Sequence, residues 1–189
     1  MTDALFYFLL GIFVVLAVVF VRHRLTAFTS QQAADYSDGA PRFDLREHLE
    51  GKMICDGVIF GPTGRVTSSF TADFDITWDD NVATMHEEFT YSNGDTQTRQ
   101  WVITLEENGN FSARADDVPG IAKGIESGPA VIFRYPICLP PESGGYKLWA
   151  FDCMYVAPNG TVVNRSQFRK FGIKVAELIA TIHKIEEKT

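Results

Sequence analysis

The residues best suited to chemistry are charged residues that fall at interior positions of predicted β-strands. In residues 82–91 apolar and polar side chains alternate, and this alternation groups Glu87 with inward-facing apolar neighbours while His86 and Glu88 face outward. An unpaired charge inside a protein is costly, so a buried carboxylate is expected to have a partner or a purpose. Glu87 is therefore the first candidate for a functional residue.

Two predicted hairpin turns supply Glu87 with partners. A three-residue loop at 92–94, with glycine in the left-handed position, places Glu87 directly opposite Arg99 on the next strand. A second three-residue loop at 107–109 continues the register and brings Arg99 opposite Asp117. The pattern predicts a cluster in which Arg99 lies between two carboxylates.

Three functions are compatible with this cluster. In the first, Arg99 holds the anionic end of a small amphipathic or lipid-like ligand whose apolar part lies in an aromatic interior. In the second, the charges form a buried ion network that fixes strand register, and the protein is a structural or assembly factor with a filled interior and a protein partner. In the third, Glu87 or Asp117 is the general base of a hydrolase. We favour the first, a non-enzymatic function without a cofactor or catalytic residue, and expect the site to contain Glu87, Tyr91, Arg99, Trp101 and Asp117.

A second polar group lies in two later segments, 149–156 and 161–169, which are joined at Pro158-Asn159-Gly160. Loops of two or four residues both put Asp152 and Arg165 on one face of the sheet. The same registers put Tyr155 and Asn164 on the other face. We therefore predict two structural pairs: an Asp152/Arg165 salt bridge, and a hydrogen bond between Asn164 and the Tyr155 hydroxyl.

The elements that must position these residues are short β-prone segments between regularly spaced turns. In the clearest, residues 65–78, apolar and polar residues alternate, and a meander of such strands removes its exposed edges by closing. The predicted fold is mainly β, an antiparallel up-and-down barrel or half-barrel, and a barrel of about eight strands has room for one small ligand.

The end of the chain shows a different periodicity. After Gly172 an apolar stripe at helical spacing predicts a C-terminal amphipathic helix that runs to about Glu187. We expect this helix to pack on the sheet or to plug one end of the barrel. The alternative, a helix lying in a membrane interface, is less favoured because its polar face carries acidic as well as basic residues.

The N-terminal segment points to a membrane. Residues 4–21 contain no charge and are long enough as a helix to cross a bilayer. Asp3 precedes this segment and Arg22 and Arg24 follow it, which is the reverse of a signal peptide and favours an uncleaved anchor over a signal peptide or a buried core helix. Residues 22–42 are predicted to be a linker and residues 43–189 the barrel domain with its C-terminal helix.

The charge distribution around this segment predicts the topology. By the positive-inside rule Arg22 and Arg24 stay on the cytoplasmic side, so we expect a single-pass protein of a bacterial inner membrane with a cytoplasmic domain, a periplasmic domain being the alternative. Residues 25–189 carry 15 basic and 23 acidic residues, a net charge of −8, which argues against nucleic-acid binding and predicts that the domain stands off anionic lipid.

The remaining motifs exclude several classes of protein. The three cysteines and four histidines are widely spaced, so neither a zinc site nor a disulfide framework is predicted, and the cysteines are expected to be buried free thiols. The sequence contains no nucleophile elbow, phosphate-binding loop, dinucleotide fingerprint or zinc-protease motif.

The motifs of the barrel segment resemble a proteobacterial, envelope-associated family known as domain of unknown function number three thousand eight hundred and thirty-three. The matching stretches include FDLREHLEG from Phe43, Glu87-x-Phe89-x-Tyr91, Arg99-x-Trp101, Ala115-Asp116-Asp117-Val118, Asp152-x-Met154-Tyr155, Asn164-Arg165 and Lys170-Phe171-Gly172-Ile173. The resemblance covers most of residues 43–178. It implies a lipocalin-like β-fold and no known activity, substrate or cofactor. Many relatives resemble lipoproteins, whereas this chain has an apolar anchor instead.

Overall fold

The computed structural model describes residues 2–185, apart from the side chains of Thr2, His23 and Glu142. The chain divides into two compact units, residues 1–32 and residues 33–189, which are described separately.

The first unit is a helix, α1 (Thr2–Thr26), followed by a 3-10 turn (Phe28–Ser30). The helix is longer than the predicted anchor, so the first residues assigned to the linker are helical. Its mean hydropathy over the most apolar window is 3.0, and its large apolar side chains are exposed. Length and composition therefore allow this helix to span a membrane.

The second unit is a closed antiparallel barrel in up-and-down order, which confirms the predicted barrel. The last strand pairs with the first, so neither terminal strand is left as an edge of an open sheet. The described residues of this unit form ten strands: β1 (Gly51–Phe60), β2 (Val66–Asp79), β3 (Val82–Tyr91), β4 (Thr96–Leu105), β5 (Asn110–Arg114), β6 (Ala122–Ser127), β7 (Ala130–Cys138), β8 (Lys147–Val156), β9 (Val162–Lys170) and β10 (Ile173–Lys184). Two further 3-10 turns, Glu107–Gly109 and Pro141–Ser143, lie between strands.

Strand alternation determines which side chains form the core. On β2, Phe70, Ala72, Phe74 and Ile76 are buried while the residues between them face solvent, as the sequence predicts. The two predicted three-residue loops are confirmed by the register: Glu87 pairs with Arg99, and Leu105 pairs with Phe111. Gly94 adopts φ of +89°, the left-handed conformation that the first of these loops requires.

The predicted C-terminal amphipathic helix is wrong, because residues 173–184 form the strand β10. This strand pairs with β9 on one side and β1 on the other, and so closes the barrel. Its many β-branched residues suit a strand, and the backbone hydrogen bonds to two neighbours outweigh the helical spacing of its apolar residues. The final residues of that prediction and of the domain boundary, 186–189, lie outside the described residues.

One end of the barrel is plugged by the segment that precedes β1. Phe43, Leu45 and Leu49 are buried there, around the short helix α2 (Leu45–His48), whose N-cap Asp44 accepts hydrogen bonds from two backbone amides. The Trp78 indole donates to the Leu49 carbonyl and fastens the plug to β2. The end-plugging role expected of a C-terminal helix thus belongs to an N-terminal segment of this unit.

The second half of the predicted linker is also part of this unit. Its 3-10 turn (Ala33–Asp35) packs at the β6–β7 turn, where the Ser127 hydroxyl donates to the Ala33 carbonyl. At the same turn the Phe43 amide donates to the Gly128 carbonyl at 2.7 Å. Residues 33–42 are therefore held against the barrel, and the linker prediction of 22–42 is too long at both ends.

Candidate ligand-binding cavity

The barrel encloses a cavity of about 140 Å³. Most of its lining is apolar, and the polar groups that reach it come from strands on opposite sides of the barrel: Glu87 on β3, Arg99 on β4, Tyr135 on β7, Asp152 on β8, and Asn164 and Ser166 on β9. Drug-sized ligands occupy pockets of about 300 Å³ or more, whereas a cavity of about 150 Å³ holds one benzene molecule. The interior is therefore suited to a small molecule or a few waters.

Arg99 is the cation of the cavity and is held from the side by Asp117. Its Nε donates to Asp117 Oδ1 at 3.1 Å, and its Nη2 lies 3.0 Å from the same oxygen. The guanidinium also lies over the Trp101 ring, with 4.2 Å between Cζ and the ring centroid, and 6.0 Å from the Tyr135 centroid. Although Nη2 is close to Asp117, it makes no hydrogen bond within the described residues. Asp117 thus engages this buried donor as an ion pair and not as a hydrogen bond.

Glu87 lies in the apolar part of the cavity and is 7% exposed. Burial raises the pKa of its carboxyl to about 7; Arg99 opposes this effect, and the Asp152 and Asp117 carboxylates add to it. Its Oε2 is buried without a hydrogen-bond partner among residues 2–185. Near neutral pH this group is therefore divided between a neutral acid, which can donate a hydrogen bond, and a carboxylate.

Asp152 is the second acidic residue that lines the cavity, and its hydrogen bonds are made within the barrel wall. Its Oδ1 accepts from Asn164 and from the Ser166 hydroxyl at 2.8 Å, and its Oδ2 accepts from the Tyr135 hydroxyl at 3.2 Å. Burial raises the pKa of Asp152 despite these hydrogen bonds and the nearby Arg99, which lower it. Asp152 thus joins three strands.

Arg99 is also reached from outside the barrel. The β4–β5 pairing covers only Val102–Leu105, and the β6–β7 pairing covers only residues 130–134, so a gap separates β4 from β7 beside Arg99. Residues 115–121 fill this gap, held by a hydrogen bond from the Cys138 amide to the Asp117 carbonyl at 2.7 Å. Arg99 and Asp117 line a surface depression of about 560 Å³ there. Arg99 therefore forms part of the wall between cavity and solvent.

The structure brings most of the predicted site residues together. Glu87, Arg99 and Trp101 line the cavity, and Asp117 contacts Arg99 from the outer side. Tyr91 lies outside the cavity, nearer the end of β3, where its hydroxyl donates to Gln97 Oε1 at 3.0 Å. The predicted site is thus a compact group with one member displaced along its strand.

Both predicted structural pairs are wrong. Asp152 lies opposite Ser166 and Arg165 lies opposite Cys153, because the loop between β8 and β9 has three residues rather than two or four. Arg165 instead pairs with Glu177 of β10, with Nε donating at 2.7 Å. Asn164 donates to Asp152, and Tyr155 lies on the outer face with its ring 5.8 Å from that of Tyr36.

Four polar residues of the cavity are missing from the predicted ligand-binding site: Tyr135, Asp152, Asn164 and Ser166. The sequence assigns Asp152 and Asn164 to structural pairs instead. The signal that identifies the three on β8 and β9 is Gly160, whose φ of +81° completes a three-residue loop like the two that the sequence predicts. That loop turns Asp152, Asn164 and Ser166 to the interior together.

The cysteines are free thiols among the described residues, with Cys55 and Cys153 buried and Cys138 half-buried. Cys55 lines the cavity, and burial, reinforced by Glu87, raises its thiol pKa to about 12. Residues 2–185 contain no group of three His, Cys, Asp or Glu side chains arranged to hold a metal ion.

The family profile described as "Protein of unknown function (DUF3833)" matches residues 23–184. No curated protein matches the chain. Among solved structures, the S-type phycobiliprotein lyase CPES from Guillardia theta is similar over 75% of this chain and 91% of its own, with 11% identity and a TM-score of 0.53. A DUF3598 protein of unknown function from Nostoc punctiforme is similar over 77% of this chain and 51% of its own, with 12% identity and a TM-score of 0.52. These similarities show a shared barrel fold.

Proposed function

We propose that this chain, which belongs to the DUF3833 family of proteins of unknown function, binds a small amphipathic ligand inside its barrel without catalysing a reaction. The observation that carries the proposal is a pair of buried polar atoms without hydrogen-bond partners in the described part of the chain, Glu87 Oε2 and Arg99 Nη2. Both residues line the same cavity. A buried polar atom that makes no hydrogen bond is costly, although the ion pair with Asp117 offsets part of this cost for Arg99 Nη2. A ligand with a matching polar end supplies the hydrogen bonds that both atoms lack.

The chemistry of the two atoms defines the ligand class. Arg99 Nη2 needs an acceptor, and a carboxylate satisfies it with a charge-assisted hydrogen bond. A neutral Glu87 donates to the same anion, whereas an ionised Glu87 repels it. The aromatic and aliphatic lining accommodates an apolar body of about the size of one ring in a cavity of about 140 Å³. A longer lipid-like chain fits only if side chains of the lining move.

Benzoate is a suitable probe, because it combines one ring with one carboxylate. Full-length protein in detergent is titrated with benzoate while tryptophan fluorescence is followed, because Trp101 contacts Arg99. We expect saturable binding that strengthens as the pH falls from 8 to 6, since Glu87 becomes protonated in that range. Arg99→Met is expected to weaken binding at least tenfold, whereas Arg114→Met, which removes an exposed arginine of β5, is expected to leave it unchanged.

Two further measurements sharpen the test. Octanoate in place of benzoate asks whether the cavity opens for a longer apolar chain. Native mass spectrometry of full-length protein from its own cells asks whether a small molecule co-purifies. The proposal is wrong if neither acid binds, or if Arg99→Met binds benzoate as tightly as the unchanged protein.

A second candidate function is a structural or assembly factor that acts through a protein partner. It is favoured by the small cavity and by the hydrogen bonds that Asp152 makes to Tyr135, Asn164 and Ser166, which are typical of a wall built for rigidity. Under this function Arg99→Met changes the stability of the protein and leaves its cellular phenotype intact. The benzoate titration then gives no saturable signal.

We also propose that α1 anchors the chain in a bacterial inner membrane as a single span, with the barrel on the cytoplasmic side. The support is a helix whose large apolar side chains are exposed and which Arg22 and Arg24 terminate. An intact mass of membrane-extracted protein that retains residues 4–21 is expected, because an anchor is not cleaved. A reporter that is active only in the periplasm can be fused after Thr189. Activity of this fusion would show that the barrel lies on the periplasmic side, contrary to the proposal.

A further inference from the structure

One end of the barrel exposes a group of large apolar side chains. Phe171 is 92% exposed, Ile173 69%, Trp149 61% and Tyr146 50%. They are neighbours at the β9–β10 turn and the adjoining start of β8: Ile173 pairs with Lys170, Trp149 lies opposite Arg169, and Lys170 Nζ lies 3.6 Å from the Tyr146 ring centroid. We call this surface the β9–β10 tip.

The turn at the centre of the tip holds an aromatic residue in a conformation that it disfavours. Phe171 has φ of +51° and Gly172 has φ of +80°, the left-handed pair that a two-residue hairpin turn requires. Asparagine and glycine adopt this conformation readily, and a phenylalanine does not. The Arg169 guanidinium fastens the turn by donating to the Gly172 carbonyl at 2.6 Å. Strain of this kind concentrates at functional sites.

The tip is basic although the protein as a whole carries a net charge of −7. Lys147, Arg169, Lys170 and Lys174 are located on the strands that meet there. The nearby carboxylate of Glu177 is already engaged, since it accepts from Lys174 at 2.6 Å and pairs with Arg165. The acidity of the domain is therefore not uniform.

We infer that the β9–β10 tip docks on an anionic lipid bilayer, with Phe171 and Trp149 entering the interfacial region and Lys147 and Lys170 facing lipid phosphates. Aromatic residues beside lysine and arginine are the combination that membrane interfaces favour. A protruding turn can insert into a fluid surface without a shaped groove. The sequence-based expectation that the domain stands off anionic lipid, which rested on overall charge, is then reversed at this end.

The position of the tip within the barrel unit determines how the test is built. The β9 strand starts beside the β6–β7 turn, where Ala33 is held, and runs to Lys170, so the tip lies at the opposite end of the barrel from Ala33. The bilayer that receives the tip can thus be either the one that holds α1 or a second one. The experiment must therefore detect docking on either bilayer.

The test uses the full chain in nanodiscs of phosphatidylcholine, mixed with vesicles that contain phosphatidylserine or phosphatidylcholine alone. In one series the vesicles contain the brominated lipid. In the other series the nanodisc contains it, in the form of brominated phosphatidylserine. We expect tryptophan fluorescence to be quenched in at least one series, because Trp149 is exposed at the tip, whereas Trp101 is buried and Trp78 is half-buried beside the plug. Quenching should need phosphatidylserine and should fall with rising salt.

Phe171→Asn is the decisive variant, because asparagine suits the left-handed turn and the barrel should fold as well as before. Its binding to anionic lipid is expected to weaken at least fivefold, and Lys170→Gln to weaken it about fivefold. Val102→Thr, at an exposed apolar residue of β4 away from the tip, is the matched control and should bind unchanged. The inference is overturned if quenching is absent in both series, if neutral vesicles quench equally, or if Phe171→Asn retains full binding.

Discussion

Glu87 and Arg99 face each other across β3 and β4, yet among the described residues no ion pair joins them. Arg99 instead directs its Nε to Asp117, at 3.1 Å, on the outer side of the barrel wall. Glu87 is left as a buried carboxyl with one unpartnered oxygen. This arrangement explains why its pKa is raised to about 7 although a guanidinium is near, and it underlies the first prediction.

Glu87→Gln should remove a pH dependence of stability. Because the pKa of Glu87 is raised in the folded state, the folded protein binds this proton more tightly than the unfolded chain does. The contribution of Glu87 to the free energy of unfolding is therefore complete below about pH 4.5 and is lost as the pH rises through about 7. The loss amounts to about 3 kcal/mol at most. Urea unfolding at pH 5 and pH 8 measures it, and the glutamine variant is expected to be the more stable protein at pH 8.

The comparison with Glu87→Gln is needed because Asp152 also has a raised pKa and contributes to the same trend. The exposed neighbour Glu88 supplies the control, since Glu88→Gln removes the same charge on the outer face. Equal pH dependence in the Glu87→Gln variant and the unchanged protein would show that Glu87 titrates normally.

Asp152→Ala should be strongly destabilising. The substitution removes the acceptor shared by Tyr135, Asn164 and Ser166. It leaves the buried Tyr135 hydroxyl without its acceptor, and leaves Asn164 and Ser166 only their longer hydrogen bonds, to the Cys153 carbonyl at 3.2 Å and to Asn164 Oδ1 at 3.3 Å. We expect a loss of about 3 to 5 kcal/mol in the free energy of unfolding. Asp73→Ala on the outer face of β2 is the control, with an expected change within about 0.5 kcal/mol. Similar losses for both variants would contradict the network.

Arg99→Met should destabilise the barrel even without ligand. The variant leaves Asp117 without its partner and removes the cation that opposes the raised pKa of Glu87. We expect a loss of about 3 kcal/mol at pH 8 and a smaller loss at pH 5, where Glu87 is already neutral. Urea unfolding of Arg114→Met gives the baseline for losing an exposed arginine. A loss of stability that is independent of pH would indicate that Arg99 does not affect the pKa of Glu87.

Gly124→Ala should disturb the cavity wall through Phe111. A Cβ atom at Gly124 would overlap the Phe111 ring, which packs directly over this glycine of β6. We expect a loss of about 1 to 3 kcal/mol, as in other overpacked cores. Adding Phe111→Leu should restore part of it, because the smaller side chain vacates the space. If the double variant is as unstable as the sum of the single ones, the two residues do not share this space.

The lengths of three hairpin loops decide how much of the site the sequence predicts. For two of them, at 92–94 and 107–109, the sequence predicts three residues, and the structure places Arg99 opposite Glu87 and beside Asp117 as predicted. For the third loop, at 158–160, the sequence predicts two or four residues, and this error of one residue turns Asp152 away from Asn164 and Ser166. Register errors of this kind exchange every side chain of a strand between core and solvent.

The C-terminal segment shows where a local pattern fails. Residues 173–184 carry apolar side chains at helical spacing, yet they form β10 because the barrel needs a strand between β9 and β1 to satisfy both edges. One of the two rows of backbone hydrogen bonds, the one to β1, joins strands more than one hundred residues apart. No window of sequence contains that information.

By itself the sequence determined the β-class, the alternation that buries Glu87, the register of two hairpins and the apolar N-terminal helix. Each of these depends on residues that lie close together in the sequence. Only the tertiary structure decided that the barrel closes with β10, that residues 43–50 plug one end, and that Asp152 shares a cavity with Arg99. The reason is that closure, plugging and cavity formation join side chains distant in sequence, whose packing and hydrogen bonds exist only once all ten strands are assembled.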